Sequence, residues 1–550
     1  MSTSGRSSNE VWSSRVGLIL AMAGSAVGLG NFLRFPGQAA ANGGGSFMIA
    51  YFIAFALLGI PLMWTEWAIG RNGGRHRKGH LPGMFAALWW HPLAKYLGVL
   101  GLVIPLVLLC YYTVIESWTL AFTWFSITGD YWDRRTPEAM AGYLASYQTL
   151  SDGSVHQPWV PFAFFLVTLA LNIWILSRGI SGGIEKLARI GMPILFVFAV
   201  VLAVSVFLIP TGDNGVSAVQ GLQFVYQPDL SRLGDASIWL AAAGQIFFTL
   251  SVGVGTLQTY ASYLSTKDDI ALSGLATAAT NEAAEVVLGG SIAIPAAVAF
   301  FGVSGAMAVA QSGSFNLGFV TMPLVFQQMP MGRLLGAMWF GLLFFAGITS
   351  SVAMATPIVA FFREEFGVRR ETVSWIIGGV AFVFGLLTIL WFEHNFLWEW
   401  DFWAGTFGLA VVAVVEVVLF MWVYGPERAW ASLHLGADIR IPRLFKFVMT
   451  YVTPVYLLVV LLAWGWQDAL PILTLRRSPI GGAVPAGSET YVHVARLLVV
   501  GFVVFFVVMI RLAWSRNRYD ERDGFPVVED TPAGAPIPEP GGGAPGARSA

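Results

Sequence analysis

Two stretches of this 550-residue chain place glycine where an apolar helix would least tolerate it. One reads Gly24-Ser25-Ala26-Val27-Gly28-Leu29-Gly30-Asn31. The other reads Phe248-Thr249-Leu250-Ser251-Val252-Gly253-Val254-Gly255-Thr256. Each holds a Gly-x-Gly inside an apolar run. A helix broken there frees backbone N–H and C=O groups, which hydrocarbon cannot satisfy. Freed N–H groups and positive helix ends suit a carboxylate. Freed carbonyls suit a hard cation such as Na+. Asn31, Thr249, Asn281, Thr349 and Ser350 add amide and hydroxyl groups in apolar surroundings, where polar side chains are costly or functional. Two competing readings stand beside these. Gly24–Gly28 is also a GxxxG pair suited to close helix packing, and a lone Ser or Thr in a helix commonly bonds its own i−4 carbonyl. Two matched breaks favour a binding site over packing.

Further candidates are the charges inside apolar runs: Arg34, Glu66, Glu116, Glu282, Glu285, Asp401 and Glu416. Each needs a partner or a proton at membrane depth; a structural pair at a helix end is the plainer alternative. Other chemistries find little footing. Gly179-Ile180-Ser181-Gly182-Gly183 fits GxSxG, yet no strand precedes it. No Walker A sequence occurs. The seven His residues fall in loops or near span ends, with no mid-span pair for a haem. The single Cys110 excludes an intrachain disulfide and reads as core filling.

The elements that must hold these residues follow from composition. Hydrophobic residues make up 56% and charged residues 11%, against roughly 25% charged in ordinary soluble domains. This excludes a disordered chain, a basic nucleic-acid binder and a disulfide scaffold, and predicts an all-α polytopic membrane protein. Apolar runs place twelve transmembrane helices at 16–39, 45–70, 92–125, 161–178, 184–210, 237–264, 270–301, 333–362, 372–392, 398–424, 444–467 and 489–514. The Gly- and Ser-rich 302–331 reads as a loop of short helices folded back on the protein. With the N-terminus inside, 23 of the 31 Lys and Arg fall on the inner side, so both termini are expected in the cytoplasm of a plasma-membrane protein. Segment 1–15 is a cytoplasmic N-terminus. Segment 516–550 is a flexible tail, with 5 Pro and 5 Gly in its last 20 residues.

Several long motifs carry a family resemblance. "RVGLILAMAGSAVGLGNFLRFPGQAAANGGGSFM" and "GIPLMWTEWAIGR" open it, and "YYTVIESWTL", "GQIFFTLSVGVGTLQTYASY", "NEAAEVVLGGSIAIPAAVAFFGV", "FFAGITSSVAM" and "DFWAGTFG" continue it. In these the chain resembles the neurotransmitter:sodium symporter family, especially its bacterial leucine transporters, from about residue 11 to 465 and less closely to 515. The resemblance implies a LeuT-like fold: a 5+5 inverted repeat, 16–210 and 237–424, broken helices 1 and 6, and two further helices at 444–514. It implies no enzyme but a secondary transporter, coupling two Na+ to uptake of a small-molecule amino acid by alternating access. An amino-acid-binding sensor on the same fold is the alternative. No nucleic-acid partner is expected; oligomeric state carries no signal.

Carried over by position, the resemblance assigns one Na+ to the Ala26 carbonyl, Asn31, Thr249, Asn281 and the substrate carboxylate. It assigns the second to the Gly24, Val27 and Ala346 carbonyls with Thr349 and Ser350. The implied substrate pocket is Ala26, Gly30, Leu108, Tyr112, Phe248, Thr249, Ser251, Val254, Ser350 and Met354. Tyr112 and Phe248 would close an outer lid, Arg34 and Asp401 would pair as an outer gate, and Glu66 would hold the second break. Monoamine transporters of the family carry Asp at position 28; Gly28 here implies a substrate with its own carboxylate. Chloride-dependent members carry Ser at position 285; Glu285 implies chloride independence. The leucine-transporter pocket has Phe, Ile and Val where this chain has Val254, Met354 and Leu108, so the pocket stays apolar and implies a neutral, hydrophobic L-amino acid. The family's inner-gate Arg is Asn9 here, with Glu364 opposite and Arg6 nearby.

Overall fold

The computed structural model describes residues 12–149, 157, 159–209, 215–311, 313–517 and 519. Asn9, Arg6 and nearly all of the 516–550 tail lie outside the described residues. Among the described residues every regular element is helical. The spans and the helices at the breaks are, in chain order, α1 (Arg15–Ala26), α2 (Gly30–Ala41), α3 (Gly45–Arg75), α4 (Pro92–Thr128), α5 (Trp159–Ser177) and α6 (Ile180–Phe207). There follow α7 (Ala236–Thr249), α8 (Thr256–Ala261), α9 (Ile270–Gln311), α10 (Gly332–Phe366), α11 (Arg370–Leu390), α12 (Phe396–Val423), α13 (Arg443–Leu473) and α14 (Glu489–Asn517).

Ten of these helices are long and apolar enough to cross a membrane, or eleven if the bent pair α1 and α2 is one crossing. The caps follow the local sequence. Ser14 accepts from the Gly17 N–H to start α1, and Asp269 accepts from the Leu272 N–H to start α9. The most apolar stretches of α4 and α10 are 94% and 89% buried, against 22% for α14. So α4 and α10 form the centre, and α14 turns an apolar face outward as a lipid-facing helix does.

Two of the expected spans are interrupted or bounded by glycine. The 237–264 span is a 14-residue helix, α7, then a non-helical break, then the six residues of α8. The apolar helix of α9 breaks at Gly302, whose φ of +68° and ψ of 173° are non-helical, next to the expected end at 301; a second short helix then runs to Gln311. The 302–331 stretch thus opens on that break and consists of short helices, as expected of it.

Candidate functional site

Both glycine-rich stretches are breaks. Helix α1 stops at Ala26, Val27 takes an extended conformation (φ −72°, ψ 93°), and α2 leaves at 49°. In the second break Ser251, Gly253 and Gly255 have φ of +53°, +80° and +90°. Glycine adopts such angles freely; Ser251 is held there against its preference. The two breaks touch, with the Ser251 hydroxyl donating to the Ser25 carbonyl at 2.9 Å.

Three of the freed N–H groups find side-chain acceptors. Gly28 N–H donates to Asn31 Oδ1 (2.8 Å), Leu29 N–H to the Tyr112 hydroxyl (3.1 Å) and Gly253 N–H to Glu66 Oε1 (2.6 Å). Glu66 thus holds the second break, across from α3, in the role the resemblance implied. Glycine also makes room here. A Cβ on Gly253 would stand 2.5 Å from the Leu409 carbonyl oxygen, and one on Gly30 would stand 2.5 Å from the Phe248 ring.

Where the breaks meet, oxygens crowd one point. Asn31 Nδ2 lies 3.0 Å from Thr249 Oγ1, 2.9 Å from Asn281 Oδ1 and 2.9 Å from Glu285 Oε2. Asn281 Nδ2 also donates to Thr249 Oγ1 (2.9 Å). All four residues are fully buried. An amide nitrogen has two hydrogens, so three acceptors around it exceed its supply. Such a surplus of buried acceptors is what a cation answers. Glu285 further accepts from Gln245 Nε2 (2.9 Å) and the Tyr51 hydroxyl (3.2 Å), and Tyr51 also meets Glu282.

A second oxygen group lies where α10 passes α1. Ser350 Oγ is 3.4 Å from the Gly24 carbonyl, 3.3 Å from the Ser25 carbonyl and 3.1 Å from the Ala346 carbonyl. Thr349 Oγ1 donates one turn back to the Phe345 carbonyl (2.9 Å) and reaches the Ala346 carbonyl (3.2 Å). Thr349 therefore does what an isolated hydroxyl in an apolar helix does; Ser350 also spans two helices. Val27 is placed in the break beside them, its N–H on the Ala23 carbonyl.

Between the breaks lies a buried cavity lined by Ala26, Gly28, Gly30, Asn31, Leu108, Tyr112, Phe248, Ser251, Val254, Ser350, Met354 and Leu409. Nine of the ten expected pocket residues are on its wall; Thr249 is not, because its hydroxyl turns to Asn31 and Asn281. Gly28, Asn31 and Leu409 complete it. Leu409 carried no signal: it is one Leu in an apolar run, brought in by the close approach of its backbone to Gly253.

Above the cavity Arg34 lies over the Phe248 ring, 4.5 Å from its centroid. Asp401 accepts from the Tyr111 hydroxyl at 2.8 Å. Among the described residues Arg34 and Asp401 make no direct ion pair, since each is engaged by an aromatic partner. The expected gate residues are neighbours of the lid but not bonded to each other.

The description Sodium:neurotransmitter symporter family matches residues 9–142 and 131–468. The chain belongs to that family. It is therefore a sodium-coupled transporter and not an enzyme, and a multi-pass membrane protein. It is 29% identical over 510 residues to an uncharacterised sodium-dependent transporter of Methanocaldococcus jannaschii, covering 90% of this chain and 96% of the relative. It is 31% identical over 380 residues to one of Bacillus subtilis, covering 68% of this chain and 77% of the relative. Among solved structures it resembles the crystal structure of MhsT in complex with L-phenylalanine, with a TM-score of 0.71, 29% identity, and coverage of 82% of this chain and 99% of that one. The symporter's two breaks, its acceptor cluster and its cavity all fall within the matched residues.

Proposed function

We propose that this symporter carries a neutral, hydrophobic L-amino acid into the cell with two Na+, by alternating access and without chloride. The observation that carries the reading is the acceptor cluster of Asn31, Thr249, Asn281 and Glu285 directly beside a cavity of mostly apolar wall. One Na+ there would meet Asn31, Thr249, Asn281, the Ala26 carbonyl and the substrate carboxylate. The second would meet the Gly24, Val27 and Ala346 carbonyls with Thr349 and Ser350. Sharing the carboxylate couples ion to substrate, and the coupling is reciprocal.

The pocket chemistry supports an α-amino acid. Tyr112 already accepts from the Leu29 N–H, which leaves its proton for a carboxylate. A Cβ on Gly28 would stand 3.0 Å from Ser350 Oγ and 3.1 Å from the Tyr112 oxygen, so a side chain there would take the carboxylate's place. Leu108, Val254, Met354 and Leu409 offer an adaptable apolar wall. MhsT is bound to L-phenylalanine, which supports admitting aromatic side chains here. Glu285 would supply the negative charge that chloride supplies elsewhere in the family. In this reading Tyr112 and Phe248 close the lid, with Arg34 and Asp401 above it.

Counting each broken helix as one crossing gives twelve, arranged as inverted repeats 16–210 and 237–424 with 444–514 outside them and both termini in the cytoplasm. Two Na+ crossing 100 mV gain about 2.3 kcal/mol per charge, and a tenfold Na+ gradient adds roughly 1.4 kcal/mol per ion. The drive of about 7 kcal/mol supports about 10⁵-fold accumulation. Labelled neutral amino acids offered to proteoliposomes of the purified protein test this. Na+-dependent accumulation of a hydrophobic one, unchanged when chloride is replaced, is expected. Binding without accumulation would establish the sensor instead, and uptake without Na+ would refute the mechanism.

A further inference from the structure

Behind the cavity, a carboxyl that the ion and substrate sites do not use sits fully buried at the centre of the molecule. Glu116 is on α4, one turn beyond Tyr112, and is 0% exposed. Its Oε1 accepts from Asn172 Nδ2 of α5 at 3.0 Å. Its Oε2 has no hydrogen-bond partner. The room it occupies is made by Gly347 of α10, where a Cβ would stand 3.0 Å from Glu116 Cγ.

The hydrogens around it can be counted. Asn172 Nδ2 also donates to the Thr168 carbonyl (3.1 Å). That carbonyl can only accept, so the amide orientation is fixed and both its hydrogens are spent. Asn172 Oδ1, which can only accept, then takes the Ser351 hydroxyl hydrogen at 2.7 Å, the shortest contact that hydroxyl makes. Ser351 also borders the Glu116 carboxyl and reaches the Ile348 carbonyl at 3.3 Å; with its proton on Asn172 Oδ1, the shortest of its contacts, it offers Glu116 lone pairs only. Adding one proton to Oε2 completes a ring: Glu116 O–H to Ser351 Oγ, Ser351 O–H to Asn172 Oδ1, Asn172 N–H to Glu116 Oε1. Without it, Oε2 is a bare negative oxygen in hydrocarbon.

The surroundings offer no cation in its place. On α4 the nearest titratable group is the Tyr112 hydroxyl, already engaged by Leu29 N–H. Facing Glu116, α5 presents Thr168 and Asn172 and α10 presents Gly347 and Ser351. Among the described residues no Lys, Arg or His pairs with it, and α11 contributes Ser374 to the adjoining cavity. That cavity, of about 10 Å³, is lined by Thr113, Asn172, Ser351 and apolar side chains. Its size is about the smallest that holds one water.

We propose that Glu116 is a proton-binding site of the transport cycle, holding one proton in the conformation described and releasing it when α4 and α10 shift. The link to transport is direct. Ser351 follows Ser350, which spans α1 and α10, and Tyr112, one turn from Glu116, holds the first break. Any movement that separates α10 from α4 opens the ring, removes the acceptor of the carboxyl proton and favours its loss. No bond other than O–H forms or breaks, and the proton passes to water.

The proposal rests on the transporter reading for its coupling but not for its first test. Infrared titration of the purified protein without substrate should show a protonated carboxyl C=O band at neutral pH that Glu116→Gln removes. An identical band in that variant overturns the proposal even if the protein transports nothing. In proteoliposomes with a trapped pH dye, Na+-driven uptake of the best substrate should move protons. Glu116→Gln, which keeps the ring through its own amide, should retain uptake and lose the proton signal. Loss of the signal in Glu285→Gln but not in Glu116→Gln overturns the proposal. Should the Gln variant fold poorly, Ser351→Ala serves: removing the acceptor should shift the pH midpoint of uptake downward, and an unmoved midpoint counts against Glu116.

Discussion

At the scale of single residues, the acceptor cluster makes the sharpest demands. Asn31 links Thr249, Asn281 and Glu285, and no other described side chain reaches all three. Asn31→Ala should weaken Na+ binding by roughly tenfold or more, since a hydrogen bond to a charged group is worth about 1.5–3 kcal/mol. Substrate uptake measured against Na+ concentration checks this; a wild-type Na+ dependence would remove Asn31 from the site. Glu285→Ser removes the fixed charge and should make uptake require chloride, read by replacing chloride with gluconate. Most of these residues were legible in the sequence because an amide or carboxyl inside an apolar run stands out. Leu409 was not legible, because nothing but the fold marks one Leu among many. Nor was the engagement of Asp401 by Tyr111, since sequence shows opposite charges but not which neighbour reaches an oxygen first.

At the scale of elements, the second break depends on backbone conformation as much as on side chains. Gly253 combines φ +80° with a Leu409 carbonyl 2.5 Å from where a Cβ would stand. Gly253→Ala should therefore cost stability on both counts, about 1–3 kcal/mol. A lowered thermal midpoint in detergent, with uptake lost, is the expected result; a wild-type midpoint would mean the break is not held as described. Gly-x-Gly made both breaks visible in advance. The positive φ of Ser251 was not visible, because a serine carries no mark of a left-handed conformation that its surroundings impose. Gly302, by contrast, was legible: composition placed the end of the span beside it, and its φ of +68° and ψ of 173° break the helix there.

At the scale of the whole molecule, distant segments are tied at one end of the bundle. Lys78, between α3 and α4, pairs with Glu365 of α10 at 2.6 Å and donates to the Tyr519 hydroxyl at 2.7 Å. His80 also meets Glu365, and Asn517 of α14 donates to it. Burial pulls the Lys78 ammonium down, but the Glu365 carboxylate and Tyr519 outweigh it and hold Lys78 above the ordinary lysine range. A raised value means this contribution is complete below the ordinary lysine range and is lost only as pH rises through Lys78's own. The thermal midpoint should thus hold through neutral pH. Lys78→Met leaves Glu365 without its cation and should lower the midpoint, since breaking a buried pair costs about 3–5 kcal/mol. An unchanged midpoint would make the pair incidental. The spans themselves were readable from apolar runs bounded by charge. This cluster was not, because its members lie up to 441 positions apart and look like ordinary loop charges.

The hydrogen bond from Ser251 to the Ser25 carbonyl bears on how such a machine turns. It joins the two breaks at the point where each helix is weakest to bending, as a pin joins the blades of scissors. The two breaks are thereby tied without any ion or substrate bridging them. Beside the pin α1 packs against α8 and α2 packs against α7, so the four half-helices meet as two crossed pairs around that single bond.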